Sequence, residues 1–218
     1  MSDSKEFDHT KHHRRSIRLR DYDYSLPGLY FITACVEHRV CLFGEIENGQ
    51  MRLNAAGQVV DRFRNEIANK FPSVEPGEHM VMPNHFHGVV IIKDSRELPV
   101  GATLCGRPRT GHDLPQSHAG HAKGARGRPH RAAPTLGEVA GWFKTMTTNE
   151  YIRGVNVHGW KPFPGRLWQR NYYEHVIRDE EESNQVREYI AMNPVMWHLD
   201  AQNPDAMPTS APDLPWQV

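Results

Sequence analysis

The alternation of strand-like and helix-like segments predicts an α+β domain, a mostly antiparallel sheet with helices packed on it. Three observations predict it. Aromatic and β-branched runs recur along the chain, the connections between them are short, and longer segments show apolar residues at helical spacing behind good N-caps.

The first strand is Leu29 to Val36, which follows a Pro27-Gly28 turn. Val40 to Ile46 and Met51 to Leu53 read as a hairpin around Asn48-Gly49. Asn54 can cap a helix in which Val59 or Val60, Phe63, Ile67 and Phe71 recur on one face. Glu78 to Met82 reads as a strand, Pro83-Asn84 as a turn, and His85 to Ile92 as a second, strong strand. From Asp94 to about Pro134 the chain is rich in Gly, Pro, Arg and His without periodicity, as an insertion or functional loop would be. Thr135 and Glu138 form a capping-box pattern, and Leu136, Val139, Phe143 and Met146 line the helix that follows. Leu167 to Ile177 reads as one strand or two short ones. Asp179 can cap a last helix running through Val186, Tyr189 and Ile190 to Asn193-Pro194. The domain reading is a basic arm over 1–25, a folded domain over 26–199 with the insertion at 94–134, and a loosely attached tail over 200–218.

Hydrophobic residues make up 38% of the 218, enough for a folded part of roughly 150 residues with less ordered segments beside it. Three cysteines without a Cys-x-x-Cys motif do not make a disulfide scaffold, which fits a reducing, cytoplasmic setting. No apolar run approaches the roughly 20 residues that cross a bilayer, and the polar start does not read as a signal peptide. Net charge is zero, so bulk charge does not announce nucleic acid. Its distribution is more telling: Arg14, Arg15, Arg18 and Arg20 cluster near His12 and His13, and a second basic run spans Arg107 to Arg131. Such clusters can follow phosphates, or can simply be solvated mobile segments.

Two sites carry candidate chemistry. In His85-Phe86-His87 the strand period sends both imidazoles to one face and Phe86, with Val90 and Ile92, to the other. Paired imidazoles can bind a divalent ion, although a lone His-x-His is as readily a structural pair. Tyr189 and Asn193, four apart on the last helix, share a face; the bland alternatives are core packing for the phenol and a helix end for the amide. Together these groups make a phosphoryl-transfer site, in which a metal neutralises phosphate charge and the phenol attacks phosphorus. No phosphate-binding Gly-rich loop is present, so rejoining powered by a nucleotide finds no support.

At these residues the chain resembles a known family. Val81 to Val90, read Val-Met-Pro-Asn-His-Phe-His-Gly-Val-Val, is similar to the His-hydrophobic-His (HUH) segment of single-tyrosine transposases. Trp168 to Arg178, then Tyr189-Ile190-Ala191-Met192-Asn193-Pro194, resembles their REP-associated tyrosine transposase branch, as does Tyr22 to Ser25 with Pro27 to Phe31. The likeness spans about Arg15 to Leu199 without the insertion. It implies a ferredoxin-like HUH nuclease fold, single-stranded DNA hairpins as partner, Mg²⁺ or Mn²⁺ as cofactor, and cleavage and rejoining through a 5′-phosphotyrosine. Carried over by position, His85 and His87 are metal ligands, Tyr189 is the nucleophile and Asn193 the third ligand, a position often glutamine outside this branch. Arg14, Arg15, Arg18 and Arg20 are first candidates for DNA contacts, with Arg170 and the aromatics Trp168, Tyr172 and Tyr173, which could stack on bases or lie in the core. Only one of Glu174 and His175 can face the metal, and a supporting or core role suits His175 ahead of a ligand role.

A non-catalytic hairpin-binding regulator and a rolling-circle-type nicking enzyme are the alternatives. A nucleotide hydrolase with a His-x-His-x-His run is disfavoured because position 89 is Val. Monomer and dimer both stay open.

Overall fold

The computed structural model describes Leu19, residues 22–94 and residues 134–206. The rest of the basic arm through Asp21, the body of the insertion and the last twelve residues lie outside the described residues, and with them the expectations for Arg14, Arg15, Arg18 and Arg20.

In chain order the elements are β1 (Gly28–Cys35), β2 (Gly44–Glu47), β3 (Gln50–Leu53), α1 (Ala55–Lys70), β4 (Val74–Val81), β5 (His85–Ile92), α2 (Leu136–His158), β6 (Tyr173–Ile177) and α3 (Glu180–Met192). The main sheet runs β4-β5-β1-β6 with every pairing antiparallel. Its skeleton, β1-α1-β4-β5-α2-β6, is that of two split β-α-β units, so the α+β expectation holds in its ferredoxin-like form. Strands β2 and β3 form a separate hairpin, turned by Asn48 and Gly49, both at positive φ as a tight primed turn requires.

Helix starts follow their capping residues. Asn54 accepts from the Gly57 N–H, Asp179 from that of Glu182, and Thr135 and Glu138 close a reciprocal box. Helix α2 runs three turns past Met146 and ends at Gly159, whose φ of 68° lets the chain leave left-handed. Its later buried residues are Thr147, Tyr151 and Gly154, which break the apolar stripe visible in sequence.

The sheet has two unlike faces. Tyr30, Ile32, Phe86, Val90 and Ile92 point into the large core with Phe63, Val139, Phe143 and Tyr151 of α1 and α2. Phe31 and Val89 point the other way, to a small cluster with Val186 and Ile190 of α3. Gly88 has no side chain where the Phe86 ring folds over it; a Cβ there would lie 2.7 Å from two ring carbons.

Four expectations need correction. Val40 to Phe43 is not strand, because the N–H groups of Leu42 and Phe43 both bond to the carbonyl of Pro83 and tie this stretch to the turn before β5. Strand β4 starts at Val74, and Pro76 and Gly77 are tolerated there because the strand is an edge with a register break after Pro76. Of Leu167 to Ile177, only Tyr173–Ile177 is a regular strand, with a single bridge between Val36 and Trp168 before it. Trp168 is not a platform for bases: it is 4% exposed, lies against Phe43 and Phe143, and donates its indole N–H to Thr147 Oγ1. Its ring faces are therefore already covered.

Candidate functional site

The site lies on the α3 face of the sheet, at the start of β5. Asn84 ends the turn, its carbonyl accepting from the Val36 N–H, and β5 begins with His85. Strand alternation then sends His85 and His87 together toward α3, while Phe86 enters the large core. The ring centroids of the two imidazoles are 4.4 Å apart, and both residues are buried.

Each imidazole is held from behind through Nδ1. His87 faces Thr33 across the β1–β5 ladder, and Thr33 Oγ1 is 2.8 Å from His87 Nδ1. His85 Nδ1 is 2.9 Å from Asn84 Oδ1. The Asn84 amide nitrogen already donates to the carbonyls of Arg39 (2.8 Å) and Gln202 (2.7 Å), so its oxygen accepts from His85. His85 therefore carries its proton on Nδ1 and presents a lone pair at Nε2. This is the supporting arrangement that orients metal-binding histidines.

Helix α3 supplies the opposing groups. Tyr189 Oη is 3.5 Å from His87 Nε2, and Asn193 Nδ2 is 3.3 Å from the same nitrogen. The Tyr189 ring also packs edge-on against Phe31, so the packing role weighed from sequence is met by the ring while the hydroxyl reaches the site. Asn193 is the helix C-cap, the helix end read from sequence, and its side chain is itself buried.

After Pro194 the chain winds through tight turns and returns. The loose-tail expectation is corrected for residues 200–206, since Gln202 is bonded to Asn84 and Asp200 Oδ2 comes within 3.6 Å of His85 Nε2. One ligand atom from each of His85, His87 and Asp200 lies within 4.8 Å of the others. Asp200 escaped sequence reasoning because no spacing links it to the histidines, and only the return of the chain brings it there. Asn84 stood inside the quoted motif, but its role depends on contacts at positions 39 and 202.

Two buried polar atoms here, His85 Nε2 and Asn193 Oδ1, have no hydrogen-bond partner among the described residues. Such atoms cost about 1–3 kcal/mol each unless something binds them. Burial pushes the His85 pKa down to about 3, partly countered by the Asn193 side chain, and holds His87 well below its ordinary value with help from His85. Both rings are thus neutral near pH 7, and His85 keeps an unused lone pair at Nε2. Burial, then the nearby Asp200, raises the Tyr189 phenol above its ordinary value, and burial also raises Asp200. Two imidazole nitrogens with a carboxylate and a carboxamide oxygen form a donor set that can hold a divalent metal ion.

The remaining candidates divide. His175 is on the site face but pairs with Glu182 at 2.7 Å. Glu174, one residue earlier, is buried on the opposite face. Arg170 is exposed, its carbonyl held by Lys144 Nζ, and Tyr172 packs at the margin of the large core. No described helix is long and apolar enough to cross a membrane.

No protein-family model matches the chain. It is 36% identical over 193 residues to an uncharacterized protein of Haemophilus influenzae, an alignment that takes in 87% of this chain and 92% of that one. Its fold is similar to the solved structure of a REP-associated tyrosine transposase bound to a REP hairpin, with a TM-score of 0.50 and 15% identity over 83% of this chain and 73% of the other.

Proposed function

The chain belongs to the family of the uncharacterized Haemophilus influenzae protein, and on that premise we propose that it is a metal-dependent tyrosine transposase or endonuclease that cleaves and rejoins single-stranded DNA at hairpin elements. The observation that carries this reading is the approach of Tyr189 Oη to His87 Nε2, beside a second imidazole whose Nε2 lone pair is unused. The likeness of fold to a transposase bound to a hairpin suggests the substrate.

In the proposed step Tyr189 Oη attacks the scissile phosphorus, the bond to the 3′ oxygen breaks, and a 5′-phosphotyrosine forms. The net course moves the phenol proton to the departing 3′ hydroxyl. Attack by a 3′ hydroxyl reverses the step and frees the tyrosine, so the ester stores what rejoining needs. Burial and Asp200 keep the phenol protonated in the resting protein. His85, His87 and Asn193 are the residues proposed to hold Mg²⁺ or Mn²⁺, with Thr33 and Asn84 fixing the two rings. Such an ion, when bound, supplies Lewis-acid polarisation of the phosphate. The Phe31 ring, stacked on His87 with centroids 5.5 Å apart, limits water on that side.

The test is incubation with single-stranded palindromic DNA and Mn²⁺, followed by denaturing gels and mapping of any modified residue. A covalent adduct on Tyr189 is expected, and Tyr189→Phe should lose both adduct and nicking while still binding DNA. Nicking retained by Tyr189→Phe removes the nucleophile assignment. DNA binding with no adduct in Mg²⁺ or Mn²⁺ favours a non-catalytic regulator.

A further inference from the structure

We propose that Asp200, carried by the chain that returns after α3, is the anionic ligand of the metal site, an assignment that rests on the metal-site reading above. Asp200 Oδ2 stands 3.6 Å from His85 Nε2, and its side chain is only 10% exposed. Its other oxygen is fixed by the Gln202 N–H at 2.6 Å, which aims Oδ2 at the imidazoles. Because Asn84 takes the Nδ1 proton of His85, the facing atoms are a ring lone pair and a carboxylate oxygen. Two acceptors facing each other in a buried site repel unless a cation lies between them. His85 Nε2 has no hydrogen-bond partner among the described residues, so it is available to share one.

Charge points the same way. Two neutral imidazoles and an amide offer lone pairs to a dication but bring no negative charge to balance it. One carboxylate halves the net charge of the occupied site. Asn193, the ligand expected from sequence, turns its nitrogen toward His87 and lacks a formal charge.

A structural consequence follows from where Asp200 sits. Asn84 bonds the His85 ring and the Gln202 carbonyl through one amide, and Trp197 lies against His85 with centroids 5.9 Å apart. An ion held by His85 and Asp200 therefore stabilises the docked form of residues 197–203, since a ligand that binds only the docked state favours it.

The full chain, stripped with EDTA, should be titrated with Mn²⁺ by calorimetry and by electron paramagnetic resonance, beside Asp200→Asn and His85→Ala. The expected result is loss of specific binding in His85→Ala and at least about tenfold weaker binding in Asp200→Asn, comparable to the losses seen on disturbing ligand surroundings. Hydrogen exchange should show Mn²⁺ slowing amides at 197–203 in the unsubstituted chain and not in Asp200→Asn. Binding by Asp200→Asn within twofold of the parent, with His85→Ala silent, overturns the ligand assignment and leaves the metal site standing. Absence of binding in the parent overturns both. If Asp200→Asn does not fold, exchange in the parent decides, and amides at 197–203 that ignore Mn²⁺ overturn the proposal.

Discussion

Alternate residues of β5 look into two different environments. On one side Phe86, Val90 and Ile92 meet hydrocarbon from α1 and α2. On the other His85 and His87 meet hydroxyl, amide, phenol and carboxylate groups from β1, α3 and the returning chain. Both faces are equally buried, so burial alone does not separate scaffold from site. What separates them is polar satisfaction. Phe86, Val90 and Ile92 bring no side-chain polar atom to satisfy, whereas the imidazole face holds two buried acceptors with no partner among the described residues.

The contrast can be broken at either face. The largest effect belongs to the hydrocarbon side: Phe86→Ala should cost about 3–5 kcal/mol of stability by denaturant unfolding. Metal binding should persist wherever that variant remains folded. A loss under about 1 kcal/mol would mean that the ring is not a core group.

Acid titration comes next and probes the imidazole face. In the metal-free chain burial holds both rings below their ordinary pKa, His85 at about 3. The unfolded chain protonates them near 6.5. As pH falls below about 6.5 the unfolded state takes up protons that the folded state refuses, so stability drops by roughly 1 kcal/mol per pH unit for each ring. Asp200, its pKa raised by burial, acts in the opposite sense closer to the carboxylate range. Melting temperatures measured in EDTA from pH 7 to 5 check this. A flat profile would show that the folded protein protonates its imidazoles, as a His85–Asp200 ion pair demands.

Asn84→Ala should weaken Mn²⁺ binding about 10- to 100-fold, because His85 loses the acceptor that sets its tautomer. Unchanged affinity would detach ring orientation from ion binding. The smallest effect is expected at Trp168→Phe, which removes the hydrogen bond to Thr147 and should cost about 1 kcal/mol of stability. DNA affinity should not change. A clear fall in affinity at unaltered stability would return Trp168 to the nucleic-acid surface.

Local chemistry explains what was legible in the sequence. The caps at Asn54, Thr135 and Asp179 act within one helical turn, and the shared direction of His85 and His87 follows from strand period alone. The pairing of Tyr189 with Asn193 follows from helix period in the same way. Long-range closure was not legible. Thr33 lies 54 residues from His87, and Gln202 lies 118 from Asn84. The burial of Trp168 depends on Thr147 in the non-apolar part of α2, where periodicity no longer marks the buried face. Asp200 is placed by the turns after Pro194, which leave no residue pattern of their own.

Gly88 has a consequence for genetics. With the Phe86 ring draped over it, even a methyl group at 88 must displace the end of that ring, which itself packs against Phe143 in the core. A screen for inactive variants should therefore recover position 88 as readily as residues bearing reactive groups, although glycine there has no functional group to lose.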